Sequence, residues 1–182
     1  MRIIAGKLKG RVLISPESER IKPTLDRVKE AIFDKIQFDI AGADVLDLFT
    51  GSGALGLEAF SRGANSVVMT DIDTTLARKN KQKVGADVKI VQQDGIKALD
   101  YFNNHSIKFD IILIDPPFKS NLGFEAIEKI DKYDLLKADG IIVWEKSYAL
   151  NVPLHLTNLC IDKIKKYGTI QVIYLKHIQN LK

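Results

Sequence analysis

Apolar residues recur along this chain with two periods, and the switches between them mark out its elements. The opening "RIIAGKLKGRVL" sets short apolar runs on either side of Gly-Lys-Leu-Lys-Gly. That pattern predicts two short strands around a turn, a small β-ribbon with lysines near its tip. "SPESER" is a polar connector. In "KPTLDRVKEAIFDKI", Leu25, Val28, Ile32 and Ile36 recur at helical spacing. Pro23 precedes this helix, Thr24 can cap it, and Asp26 falls in its first turn, where the helix dipole favours an acid.

From about residue 43 strand and helix patterns alternate. "ADVLDLF", "SVVMTD", "VKIVQQD", "FDIILID" and "GIIVWEK" read as strands. "ALGLEAFSRG", "TTLARKNKQKVG", "GIKALDYFNN" and "FEAIEKIDKYDLL" read as the helices between them. "FDIILID" is nearly continuous in apolar residues, as expected of a strand covered on both faces. "LCIDKIKKYGTIQVIYLK" predicts two further strands joined near Gly168 as an antiparallel hairpin. The expected fold is α/β, an open and mostly parallel sheet with helices on both faces. It forms one domain over residues 1–182, with 1–22 as a basic ribbon and 43–182 as a Rossmann-like core. Right-handed crossovers bring the loops after the strands to one edge, where ligands bind. The acids at those strand ends, Asp47, Asp71, Asp94 and Asp115, are therefore candidate site residues.

Composition narrows the setting. A chain of 182 residues that is 46% hydrophobic can bury a sizeable core. Its one cysteine, Cys160, excludes an intrachain disulfide and suits a reducing cytoplasm. There is no run of about 18 apolar residues, so no membrane span is expected. The three histidines, His105, His155 and His177, lie outside every motif, read as surface or loop residues, and form no metal-ligand set. The net charge of +4 is unevenly placed. Arg2, Lys7, Lys9 and Arg11 stand in the first eleven residues without an acid, and the rest of the chain balances 23 bases against 23 acids. A basic ribbon on a neutral body points to a polyanionic partner such as RNA; lysines serving only solubility are the alternative.

"DLFTGSGALG", residues 47–56, contains Gly51, Gly53 and Gly56 in G-x-G-x-x-G spacing. This is the form of a dinucleotide-binding loop. The glycines let the backbone turn tightly and approach a ligand, with the following helix aimed at it. Asp47, however, stands at the mouth of the same loop and would repel a pyrophosphate. It suits S-adenosylmethionine, which carries a sulfonium and an ammonium group and no phosphate. Asp71, twenty residues after Gly51, can accept both ribose hydroxyls, a contact common to both ligands. Asp94 can accept from an adenine amine or cap the next helix, with Gly95 beside the ring. An NAD-dependent oxidoreductase is the rival reading, and neither a Tyr-x-x-x-Lys pair nor a placed histidine is expected to serve hydride transfer.

The fourth strand ends in "DPPF", residues 115–118. Two prolines hold the turn rigid and extended. A carboxylate, a held backbone carbonyl and an aromatic ring then converge, which is what a planar exocyclic amine requires. Hydrogen bonds from the amine to Asp115 and to the Pro116 carbonyl would localise its lone pair. Phe118 could stack on the base. Guanine N2 and adenine N6 both suit this arrangement.

With these motifs in place, the chain resembles the class I S-adenosylmethionine-dependent methyltransferases that act on amines. Over essentially its whole length, in "MRIIAGKLKGRVL", "KPTLDRVKEAIFD", "DLFTGSGALGLEAFSRGA", "DPPF" and "KKYGTIQVIYLK", it resembles the bacterial RsmD-type family. That family methylates the N2 amine of a guanine in 16S ribosomal RNA of the small subunit. The resemblance implies a seven-stranded sheet with the last strand antiparallel. It also implies a cofactor set of Thr24, Asp47, Phe49, Gly51, Ser52, Gly53, Asp71, Ile72, Asp94 and Gly95. Asp115, Pro116, Pro117 and Phe118 would hold the target amine. Arg2, Lys7, Lys9 and Arg11 would touch the RNA, which would be folded in an assembled or assembling subunit, with the enzyme a cytoplasmic monomer. No metal is required.

Overall fold

A computed structural model describes residues 1–16, 23–117, 120–149 and 153–180, with the backbone alone at 23–25. The first helix, α1, spans Pro23–Lys35. Then β1 (Asp44–Leu48), α2 (Ala54–Ser61), β2 (Ser66–Asp71), α3 (Thr75–Val84), β3 (Lys89–Gln92), α4 (Gly95–Asn104), β4 (Phe109–Ile114), α5 (Leu122–Tyr133) and β5 (Leu136–Ser147) alternate. A hairpin of β6 (Leu159–Tyr167) and β7 (Ile170–His177) follows, turning at Gly168 with φ +61°.

The seven strands form one sheet in the order β3-β2-β1-β4-β5-β7-β6. The first five are parallel, and β7 runs antiparallel to both β5 and β6. This is the expected α/β architecture, with the hairpin supplying the antiparallel edge. Residue alternation within β4 sorts the two faces. Ile111 and Leu113 pack with the N-terminal ribbon, α1, α2 and α3, while Ile112 and Ile114 pack with α4 and α5. The continuous apolar run of β4 is thus explained by burial on both sides, each fully buried side chain contributing about 2 kcal/mol. The chain runs outward from β1 to β3 and returns to β4, so the strand order reverses between β1 and β4. A crevice opens at the carboxyl ends of the strands there.

Several local expectations are revised. Helix α5 ends at Tyr133 rather than running on through Leu136, because Asp134 turns left-handed with φ +51°. Leu135 and Leu136 then serve the sheet instead: the Phe109 N–H donates to the Leu135 carbonyl at 3.0 Å, and Leu136 pairs with Phe109. His177 is a buried residue ending β7, its Nε2 3.0 Å from the Leu136 carbonyl. Helix α1 begins at Pro23, which puts Thr24 inside its first turn rather than at the cap; the Thr24 side chain lies outside the described residues. The N-terminal ribbon closes through an antiparallel bridge between Arg2 and Val12. Ile3, Leu8 and Leu13 of the ribbon are core residues, so it is packed structure and not a solvated arm.

Candidate active site

The carboxyl ends of the parallel strands surround a cavity of about 350 Å³. Among the described residues its wall carries six carboxylates, Asp26, Asp47, Asp71, Asp94, Asp115 and Glu145, and a single side-chain ammonium, Lys29. Such a wall disfavours a pyrophosphate and favours a cation.

The loop between β1 and α2 is shaped by its glycines. Gly53 has φ +84°, and a Cβ there would lie 2.6 Å from the Met69 Cε. At Gly56 a Cβ would lie 2.9 Å from Asp47 Oδ2 and 2.8 Å from the Met69 Cγ, so the third glycine lets α2 approach β1 and β2. Gly51, with φ +53°, would meet nothing within 4 Å; its missing side chain leaves the cavity open. Phe49 holds φ +64°, a costly conformation for an aromatic residue and one that gathers at functional sites. Its ring lies against the start of α4, where a Cβ on Gly95 would be 2.6 Å from the Phe49 Cε1.

Asp47 is 1% exposed. Its Oδ2 accepts from the Thr50 hydroxyl at 2.6 Å and from the Gly56 N–H at 2.9 Å, bonds that hold the loop onto the first turn of α2. Its Oδ1 is buried and has no hydrogen-bond partner among the described residues. Burial pushes this carboxyl up to about 7 against the pull of the Thr50 and Gly56 bonds, and the nearby Asp115 and Asp71 carboxylates push the same way. An unpartnered oxygen on an acid-lined cavity is an acceptor awaiting a cationic or N–H donor.

The other strand-end acids are also engaged. Asp71 Oδ2 accepts from the Gly51 N–H at 2.8 Å, tying the end of β2 to the glycine loop. Asp73 accepts from the Thr75 N–H at 2.9 Å and so caps α3. Asp94 caps α4 by accepting from the Lys97 N–H at 3.0 Å while lining the cavity. After β4, Asp115, Pro116 and Pro117 close the far wall. The two prolines also back onto a recess shared with Trp144 and Lys146.

Known proteins share both the sequence and the architecture. A family model described as "Conserved hypothetical protein 95" matches residues 1–176. The ribosomal RNA small subunit methyltransferase D of Haemophilus influenzae is 37% identical over 80% of this chain and 78% of its own length. Its namesake in Escherichia coli K12 is 31% identical over 93% of this chain and 86% of its own length. The chain belongs to this methyltransferase D family. A solved structure of a hypothetical protein from Thermus thermophilus, 26% identical, superposes with a TM-score of 0.82 over 98% of this chain and 99% of its own. The sheet is that of a Rossmann-like class I methyltransferase.

Of the residues expected from sequence to form the site, Asp47, Phe49, Gly51, Ser52, Asp71, Ile72, Asp94, Gly95, Asp115, Pro116 and Pro117 meet on the one cavity. Gly53 stands behind it against Met69. Phe118 and the Thr24 side chain lie outside the described residues. Of the basic ribbon residues, Arg2 adjoins the cavity, next to Met1 on its wall and with its carbonyl accepting from Lys29, while the others are placed elsewhere. The Ile4 and Ala5 N–H groups donate to the Glu58 carboxylate at 2.8 and 3.1 Å, and the Lys7 N–H to the Ser61 carbonyl at 2.8 Å. The tip bearing Lys7 and Lys9 therefore sits at the C-terminal end of α2, about 12 Å down the helix from the cavity. The Lys7 ammonium lies 3.6 Å over the Phe60 ring, and Arg11 Nη1 donates to the Val84 carbonyl at 2.9 Å.

Sequence reasoning missed three charged residues of the wall. Glu145 lies two residues before the end of β5, and the rule that selected the other acids near strand ends would have found it. Asp26 and Lys29 are one helical turn apart on α1. Lys29 is 5% exposed, donates to the Arg2 carbonyl at 2.6 Å and lies 3.7 Å from Glu58 Oε2; burial pulls its ammonium below the usual lysine range. Contrary to the sequence expectation, one Tyr-x-x-x-Lys spacing does occur, at Tyr133 and Lys137, but the fold engages both residues away from the cavity. The Tyr133 hydroxyl donates to Asp100 at 2.8 Å, and Lys137 bridges Asp44 and Asp110 at 2.7 and 2.8 Å, on the sheet edge opposite the cavity.

Proposed function

We propose that this protein transfers a methyl group from S-adenosylmethionine to the exocyclic N2 amine of a guanine in 16S ribosomal RNA, within an assembled or assembling small subunit in the cytoplasm. One observation carries the reading: the buried, half-unpartnered Asp47 and the rigid Asp115-Pro116-Pro117 segment face one cavity. The family relatives supply the choice of ribosomal RNA, and the resemblance seen in the sequence supplies guanine N2 over adenine N6.

The wall fits S-adenosylmethionine in kind. Asp47 Oδ1 is the acceptor for its positive end, Asp71 for the ribose hydroxyls and Asp94 for the adenine amine, with Phe49, Ile72 and Gly95 along the ring. Lys29 suits the carboxylate. When bound, S-adenosylmethionine supplies an electrophilic methyl group. The remaining chemistry belongs to the chain. Asp115 and the Pro116 carbonyl accept the two N–H groups of the amine and turn its lone pair out of conjugation. The prolines fix that geometry before the base arrives, so no reorganisation is needed in the transition state. Phe118 stacks on the base, and Asp115 or water takes the proton that leaves nitrogen.

Methyl transfer from tritiated S-adenosylmethionine to small subunits from cells lacking this protein tests the reading, with the modified nucleotide mapped by mass spectrometry. Asp115→Ala is expected to lower turnover at least about 100-fold while cofactor affinity changes little. Unaltered turnover in that variant overturns the role of Asp115. Methylation of adenine would select the other amine, and binding of NADH without S-adenosylmethionine would end the reading.

A further inference from the structure

The ribbon tip is remote from the cavity, which leaves open what grips the RNA beside the target base. The hairpin at the other end of the sheet offers a surface on the correct edge. Glu145, on the cavity wall, pairs with Val172, and Val172 pairs with Lys165 of β6. Two strand spacings put Lys165 about 10 Å from Glu145, level with the cavity rim. One row nearer the turn, Lys166 pairs with Gln171, which pairs with Lys146. Tyr148 follows β5 and is anchored by its N–H to the Thr169 carbonyl at 2.8 Å. Its ring is 52% exposed, and the Lys166 ammonium lies 3.6 Å from the ring centre. Lys163 is exposed one turn of the pleat further along β6, with Asp162 the one acid in the run 162–166.

Lysines on an edge strand also deter edge-to-edge pairing. That role does not account for a large aromatic ring held in solvent beneath a cation at the end of the sheet that bears the cavity. Paired residues share a face of the sheet, so Lys163 and Lys165 project on the Glu145 face, while Lys166, over the Tyr148 ring, projects on the other. An exposed ring beside one ammonium group, on a strand edge that carries further ammonium groups, is an arrangement that binds an unstacked base and its phosphates. We infer that the edge of the C-terminal hairpin is the RNA-gripping rim of the site, Tyr148 stacking on a nucleotide flanking the target with Lys166 on its phosphate, and Lys163 and Lys165, on the other face of the same edge strand, neutralising neighbouring phosphates. This rests on the RNA-methylating function proposed above. It assigns near contacts to the C-terminal hairpin, with the Lys7–Lys9 tip of the N-terminal ribbon at most a distant contact, although the ribbon's Met1 lines the cavity.

The test compares wild type with Lys165→Ala/Lys166→Ala, Tyr148→Ala, Tyr148→Phe and Lys7→Ala/Lys9→Ala in filter binding to 16S ribosomal RNA over a range of salt. S-adenosylmethionine affinity without RNA serves as the folding control. The rim double variant should weaken RNA binding and flatten the salt slope by about 2, one per lost phosphate contact. Tyr148→Ala should lose roughly 10-fold in affinity and Tyr148→Phe should keep it, because stacking needs the ring and not the hydroxyl. The ribbon variant should change both quantities less than the rim variant. Wild-type affinity and slope in the rim variant would overturn the inference, as would the larger effect falling on the ribbon. So would concentration-dependent dimerisation of wild type that the β6 changes abolish, since it would make the edge a self-contact. Tight RNA binding by wild type without methyl transfer would instead sink the functional reading, and the binding data would still decide the rim.

Discussion

Asp47 makes the sharpest prediction, because it ought to be harmful to the free protein and necessary to the bound one. Its carboxyl is raised from the ordinary 3.8 to about 7. At about 1.4 kcal/mol per pH unit, ionising it costs the folded protein about 4 kcal/mol more than the unfolded chain. The sign follows from which state holds the proton. Below the unfolded value both states are protonated and the group costs nothing. As pH rises past it the unfolded chain ionises first, and stability falls until the folded carboxyl ionises near 7. Asp47→Asn keeps an oxygen for the Thr50 hydroxyl and the Gly56 N–H and removes the titration. In denaturant melts without ligand, the variant should gain on wild type by about 3 kcal/mol between about pH 5 and about pH 8. Calorimetry should show the reverse for ligand: wild type releases a proton on binding S-adenosylmethionine at slightly acid pH, and the variant binds weakly with no proton release. A stability difference that stays constant across this range would refute the reasoning, because the destabilisation would then not come from ionising this carboxyl.

Three further outcomes follow from the packing. Gly56→Ala drives a Cβ to within 2.9 Å of Asp47 Oδ2 and 2.8 Å of the Met69 Cγ. It should cost about 1–3 kcal/mol in thermal denaturation and weaken S-adenosylmethionine binding. Gly95→Ala pushes on the Phe49 ring and should lower cofactor affinity roughly 10-fold with a smaller loss of stability, read by calorimetry and melting on the same samples. Glu58 is fully buried and accepts from Ile4, Ala5 and Arg62 Nε while facing Lys29. Glu58→Gln leaves Lys29 only its 4.0 Å carboxylate contact with Asp26 and Arg62 only its 3.9 Å contact with Asp34, and should cost about 3 kcal/mol, with hydrogen exchange at Ile4 and Ala5 accelerating first. Deleting residues 1–11 outright would remove Ile3 and Leu8 from the core, so point changes are the cleaner probe of the ribbon.

Much of this protein was legible before any fold was seen, where the signal was local. The apolar run of β4, the Gly-Lys-Leu-Lys-Gly turn and the Asp-Pro-Pro step depend on neighbours a few residues away, and periodicity and turn chemistry report them directly. So did the acids ending β1 to β4, once alternation had assigned them to a common edge. Three things were decided only in three dimensions. Packing of α1 against α2 brought Asp26 and Lys29 to the cavity, and nothing in their spacing distinguishes them from a solvated helix pair. Docking of the ribbon onto Glu58 and Ser61 carried its lysines away from the site, although charge counting had placed them with the RNA. The pairing of β6 with β7, and β7 with β5, brought Lys166 over Tyr148, eighteen residues away in the chain, at the end of the sheet that bears the cavity. Residue order was enough to say which strand ends share an edge. The depth at which Asp47 is buried came from the folded chain alone, because desolvation is set by everything that surrounds the group and not by its neighbours in the chain.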